Sequence, residues 1–114
     1  MEGQLTIIDL HECDKDLVRD KIALARFCRE LCKVIKMNAC GEPFIRKYGK
    51  GNLRGYTAIQ LIETSNIVVH LDEYEFKVFI DIFSCKNFDE RTAEKFSKTY
   101  FVAGKLKAKT IMRK

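Results

Sequence analysis

Three reactive side chains fall within one short stretch of this chain: the Ser65 hydroxyl, the His70 imidazole and the Cys85 thiol. A hydroxyl is a weak nucleophile that needs a neighbouring base and a donor for the oxyanion it creates. An imidazole moves protons near neutrality, and a thiol can deliver one. Ser65 lies at a tight connection between two strand-like runs, Tyr56–Ile62 and Asn66–Leu71. His70 ends the second run, and Cys85 ends a third that begins at Phe76. Short connections favour antiparallel neighbours. An antiparallel meander is therefore expected to bring hydroxyl, imidazole and thiol together at one sheet edge. The same three residues, taken alone, also fit a structural histidine and a cysteine that only packs.

The elements that must hold these groups follow from periodicity. Leu5–Leu10 is β-branched and apolar and reads as a first strand. Asp14 and Asp16 are expected N-caps of a helix running to about Lys36, with Leu17, Leu24, Cys28, Leu31 and Ile35 on one buried face. Met37–Gly55 holds the only proline, Pro43, and four of the six glycines, so it reads as a loop around a short strand near Cys40–Ile45. Asn87 or Asp89 is expected to cap a second helix to about Ala103, with Gly104 as its stop. Lys105–Met112 alternates lysines with Leu106, Ala108 and Thr110, a half-exposed final strand. This order predicts an α+β fold: a two-layer α/β sandwich, its mainly antiparallel sheet carrying two helices on one face. The other face is then left open, and a symmetric dimer is the simplest cover for it.

Composition bounds the alternatives. A length of 114 residues supports one domain, expected to span 1–114. With 46% hydrophobic and 32% charged residues, the chain belongs among folded rather than disordered sequences. No apolar run is long enough to span a membrane. Met1-Glu2-Gly3-Gln4 lacks the basic start and apolar stretch of an export signal, so a cytoplasmic location is expected. The formal charge of +5 equals the five bases Lys105, Lys107, Lys109, Arg113 and Lys114 at the end, so the remainder is neutral. That excludes a nucleic-acid coat, which would be basic throughout. Five cysteines are an odd set, so disulfides are not expected. Cys28 and Cys32 share a helical face with no second Cys or His pair, which predicts buried thiols and no metal site.

The stretch around Ser65 resembles the prokaryotic S-adenosylmethionine decarboxylases, small self-processing pyruvoyl enzymes. Their pattern sets a cleavage serine five residues before a histidine and a cysteine fifteen beyond it, the spacing of Ser65, His70 and Cys85. Asp81-Ile82-Phe83-Ser84-Cys85 is similar to the family's Asp-x-Phe-Thr-Cys, and Asp9–Asp14 resembles its opening strand and Cys-Asp turn. Thr57 stands where the family carries a further serine, eight residues before the cleavage serine. Three departures accompany the match. Thr64-Ser65-Asn66 replaces Glu-Ser-His, Leu71-Asp72-Glu73 follows the histidine in place of Thr-Trp-Pro-Glu, and Phe44–Tyr48 has no clean counterpart to Phe-His-x-Phe.

The resemblance implies that the Ser65 hydroxyl attacks the Thr64 carbonyl. The resulting ester would yield, by elimination and hydrolysis, a β chain of residues 1–64 and an α chain starting with a pyruvoyl group at residue 65. His70 would transfer protons during processing, Thr57 would support it, and Cys85 would return a proton to the substrate. The pyruvoyl group would form a Schiff base with the substrate amine and act as the electron sink. Asp72 and Glu73 become the substrate-binding candidates, through ribose hydroxyls or a cationic head, with a solvated turn as their other reading. The implied function is decarboxylation of S-adenosylmethionine for polyamine (spermidine) synthesis, by a homodimer of processed protomers with no nucleic-acid or membrane partner. Arginine or ornithine is the alternative substrate, and an unprocessed, non-catalytic homologue the further alternative.

Overall fold

Alternation of buried and exposed residues along the strands sets the architecture. A computed structural model describes residues 2–114; Met1, which opens the expected domain, lies outside them. The first strand, β1, is longer than expected, Gly3–His11, and fully buries Thr6, Ile8 and Leu10 on one side. A single 3-10 turn at Leu17–Arg19 then leads into helix α1, Lys21–Val34.

The cap of α1 corrects the sequence expectation. Asp20 Oδ1 accepts from the Ile22 and Ala23 amides at 2.9 and 3.0 Å. Asp14 instead accepts from the Asp16 and Leu17 amides and holds the preceding turn, while Asp16 makes no side-chain cap. Backbone geometry decides between them. An N-cap needs non-helical dihedrals; Asp20 is extended (φ −103°, ψ 107°), whereas Asp16 is already helical. Beyond α1, Lys36 takes φ 59° and the Met37 amide reaches back to the Cys32 carbonyl at 2.8 Å, ending the helix.

Strand β2 is Phe44–Tyr48, later than the expected Cys40–Ile45. It lies at the edge of the sheet and buries only Ile45, so it carries no apolar alternation to read. The next three strands are β3 (Gly55–Ile62), β4 (Ser65–Asp72) and β5 (Lys77–Ser84). Helix α2, Glu90–Tyr100, is capped by Asp89, one of the two anticipated residues. It stops at Val102, which takes φ 51°, and not at Gly104, whose amide donates to the His11 and Glu12 carbonyls. The last strand, β6, is Lys105–Arg113.

The six strands stand in the order β2-β3-β4-β5-β1-β6, with every neighbouring pair antiparallel. Both helices cover one face, the expected two-layer α+β sandwich. Phe27 of α1 stacks on Phe96 and tilts against Tyr100 and Phe101, above a sheet floor of Ile8, Ile67, Val69, Ile80 and Ile82. Cys28 and Cys32 are buried on this side of α1. The opposite face carries the row Phe44, Ile59, Val68, Asp81, Ile7 and Lys109, one residue per strand. Phe44, Ile59 and Leu61 remain exposed there. No helix among the described residues is long and apolar enough to cross a membrane.

The capping assignment is tested by urea unfolding in an uncleavable Ser65→Ala background. Asp20→Ala is expected to cost about 1 kcal/mol, and Asp16→Ala less than about 0.5 kcal/mol. Equal losses at the two positions would contradict the assignment.

Candidate active site

Strands β3 and β4 are joined by only two residues, Glu63 and Thr64. Two-residue hairpins favour turns whose central residues take positive φ. Neither Glu63 nor Thr64 does so, and the unusual dihedral falls instead on Ser65, with φ 156°. A non-glycine residue enters that region at a cost of about 1–3 kcal/mol and stays there only when its surroundings over-determine it.

The surroundings do so from two sides. The Glu63 amide donates to the Asn38 carbonyl at 3.0 Å, and Asn38 Nδ2 donates to the Glu63 carboxylate at 3.3 Å. From β5, Ser84 Oγ lies 2.8 Å from Thr64 Oγ1, and the Cys85 amide donates to the Thr64 carbonyl oxygen at 3.0 Å. Ser84 also faces Ser65 across the β4–β5 register. Asn66 Nδ2 donates to Ser65 Oγ at 3.2 Å. The Thr64–Ser65 peptide thus has a hydroxyl on one side and, on its carbonyl oxygen, an amide donor of the kind that stabilises an oxyanion.

Thr57 and His70 form a second group. They are register partners on β3 and β4, and Thr57 Oγ1 lies 3.0 Å from His70 Nδ1. This corrects the expectation that hydroxyl, imidazole and thiol meet at one sheet edge. Ser65 and Cys85 meet at the β3–β4 turn through the backbone, but His70 stands five residues further along β4. At ~3.3 Å per residue this is about 16 Å, and an odd step puts the two side chains on opposite faces. His70 is exposed on the open face, in line with Phe79, Asp9 and Lys107.

A cleft of about 180 Å³ adjoins Thr57 and His70, with Tyr48, Arg54, Asp72 and Phe79 in its lining. Gly55 closes its wall, because a Cβ there would collide with the Leu71 carbonyl. Asp72 lines the cleft while its Oδ1 accepts from the Tyr74 and Glu75 amides, so it also holds the β4–β5 turn. Glu73 is not the solvated turn residue of the second reading. Its side chain is only 17% exposed and pairs with Lys47 at 3.3 Å and Arg54 at 3.8 Å.

The family model for S-adenosylmethionine decarboxylase matches residues 4–114. The chain belongs to this family. Two S-adenosylmethionine decarboxylase proenzymes of Clostridium botulinum, from strains Langeland and Okra, are each 25% identical over 112 residues. Those alignments cover 97% of this chain and 93% of each relative. The crystal structure of the adenosylmethionine decarboxylase from Aquifex aeolicus shares the fold, with a TM-score of 0.79 over 97% of this chain and 89% of that one, at 16% identity.

Within this family member, sequence reasoning missed Ser84 and the Cys85 amide as clamps on Thr64, and treated Asn66 only as a departure from pattern. A backbone donor leaves no residue-type signal. For the thiols, burial separates two classes. Desolvation pushes Cys13 up to about 11 and Cys28 up to about 12, and raises Cys32 as well. Cys40 and Cys85 are exposed. Iodoacetamide at near-neutral pH is expected to modify only Cys40 and Cys85 in the native chain, and all the cysteines after denaturation, read by peptide mass spectrometry. Native labelling of Cys28 would contradict this.

Proposed function

We propose that this chain is a self-processing, pyruvoyl-dependent decarboxylase acting on S-adenosylmethionine in polyamine (spermidine) synthesis. In this reading a single domain is cut into a β chain of residues 1–64 and an α chain beginning at residue 65. One observation carries it: Ser65 holds a costly backbone conformation beside a carbonyl that already accepts a hydrogen bond from the Cys85 amide. Relief of that conformation and stabilisation of the developing oxyanion both favour attack by Ser65 Oγ on the Thr64 carbonyl carbon. The residues present fit a pyruvoyl group because its precursor, Ser65, sits where such an attack is geometrically supported.

Proton transfer falls to His70. Thr57 engages Nδ1, which leaves Nε2 to move protons. Within one chain His70 is too far from Ser65, so the pair serves the Ser65 of a second copy. The open face supports this arrangement: Ile59 and Leu61 are exposed on it, and Asn66 of the same face reaches Ser65 Oγ. A two-fold axis makes the exchange reciprocal, each copy supplying Thr57 and His70 to the other. A pyruvoyl group formed from Ser65 would supply the electron sink for loss of carbon dioxide from an amine-bearing substrate. Cys85, next to the turn, returns the proton to the substrate carbon.

Arginine or ornithine is the second reading of the substrate. One observation favours it: the chain has no tryptophan, while the cleft beside His70 presents Asp72 with Tyr48 and Phe79, a lining that suits a cationic side chain.

Intact-mass measurement is expected to show two fragments divided between Thr64 and Ser65, and an uncut 13.3 kDa chain for Ser65→Ala. An uncut wild-type chain, stable on incubation, would leave only the non-catalytic homologue. His70→Ala alone is expected to stay uncut, and to be cut when co-expressed with Ser65→Ala, which supplies His70. Failure of that rescue would remove the two-copy site. Labelled carbon dioxide is expected from S-adenosylmethionine; release from arginine or ornithine instead would transfer the assignment to the second reading.

A further inference from the structure

Rearrangement at Thr64–Ser65 builds one carboxyl group from two oxygens that begin on different residues. Ser65 Oγ bonds to the Thr64 carbonyl carbon while the C–N bond breaks, and the Ser65 nitrogen gains a proton in place of the one lost from the hydroxyl. A base next removes the Ser65 Hα. The Cβ–Oγ bond breaks, its electron pair departs with Oγ, and the leaving group is the carboxylate of Thr64. Dehydroalanine remains at residue 65, and water converts it to the pyruvoyl group with loss of ammonia. Negative charge therefore gathers on both oxygens during the elimination.

Both oxygens already carry a donor. The Cys85 amide holds the Thr64 carbonyl oxygen at 3.0 Å, and Asn66 Nδ2 holds Ser65 Oγ at 3.2 Å. Asn66 lies in the open-face row between Leu61 and Phe83, a partly buried position where a hydrogen bond to developing charge counts for more than in water. Being on the adjacent residue, its amide can stay with Oγ as the acyl group moves. A hydroxyl oxygen has two lone pairs, so accepting from Asn66 leaves one for attack and leaves the proton for the base. We propose that Asn66 is a catalytic residue of self-processing: its side-chain amide, together with the Cys85 amide, cradles both oxygens of the departing Thr64 carboxylate and speeds the elimination. This inference rests on the processing reading above.

The test follows cleavage by intact mass in Asn66→Ala, Asn66→Asp and Asn66→His chains, with and without hydroxylamine, which cuts esters and spares ordinary amides. Asn66→Ala and Asn66→Asp are expected to eliminate at least about tenfold more slowly than wild type. The trapped ester then appears as a Thr64 hydroxamate and an α chain beginning with intact serine. Asn66→His, which keeps an N–H donor, is expected to recover most of the rate. Asp preserves the shape of Asn, so it decides the matter if the alanine chain does not fold. Wild-type elimination rates in both variants, or slow cleavage with no hydroxylamine-sensitive ester, would overturn the role of Asn66. A wild-type chain that never cleaves would instead remove the processing reading, and this one with it.

Discussion

The hydrogen bond from the Cys85 amide to the Thr64 carbonyl exists only because β5 lies beside β4 in one particular register. That register places Ser84 opposite Ser65, Ile82 opposite Ile67 and Ile80 opposite Val69. The isoleucine and valine positions are fully buried beneath the two helices. Slipping either strand by one residue would turn this apolar set towards the open face, so the core enforces the register. The strained φ of Ser65 is held in place by the same packing. Its cost of about 1–3 kcal/mol is spread over a clamp anchored in Asn38, Ser84 and Cys85. The site is thus an outgrowth of core packing, placed where the sheet interior meets its rim.

The second group, Thr57 with His70, is governed by the other side of the same sheet. Its residues project from the face without helices, beside a small cleft floored by the close approach of Gly55 to Leu71. The Lys47–Glu73–Arg54 ion pairs tie the β4–β5 turn to β2 and the start of β3 around that cleft. The Thr57–His70 pair and the Thr64–Ser65 turn thus stand about 16 Å apart along one sheet.

Much of this was legible in the sequence. Alternation located β1, β3, β4 and β5 to within a residue or two, because each has one face on the core, and the alternating lysines located the edge strand β6, which has no buried residue. It failed for β2, an edge strand with a single buried residue, Ile45. The start of α1 was misread because Asp14, Asp16 and Asp20 all look like caps, and only backbone dihedrals distinguish them. The spacing of Ser65 and Cys85 pointed to a shared location, and the β-hairpin order delivers it. His70 was placed too near Ser65, although an odd step along one strand already implies opposite faces. The amide of Cys85 could not have been read at all, since every non-proline residue has one.

The strand order has a consequence for any form of this chain cut after Thr64. Residues up to the cut supply β1, β2 and β3, and residues after it supply β4, β5 and β6. In the sheet these interleave: β1 is held between β5 and β6, while β3 remains paired to β4. The two pieces therefore cannot part without tearing the sheet at three seams. Cutting the backbone would turn unfolding from a unimolecular event into a dissociation, with a midpoint that depends on protein concentration. Refolding would then require two polypeptides to find each other and thread a middle strand between its neighbours. A chain still intact while it folds avoids that search, because all six strands then belong to one molecule.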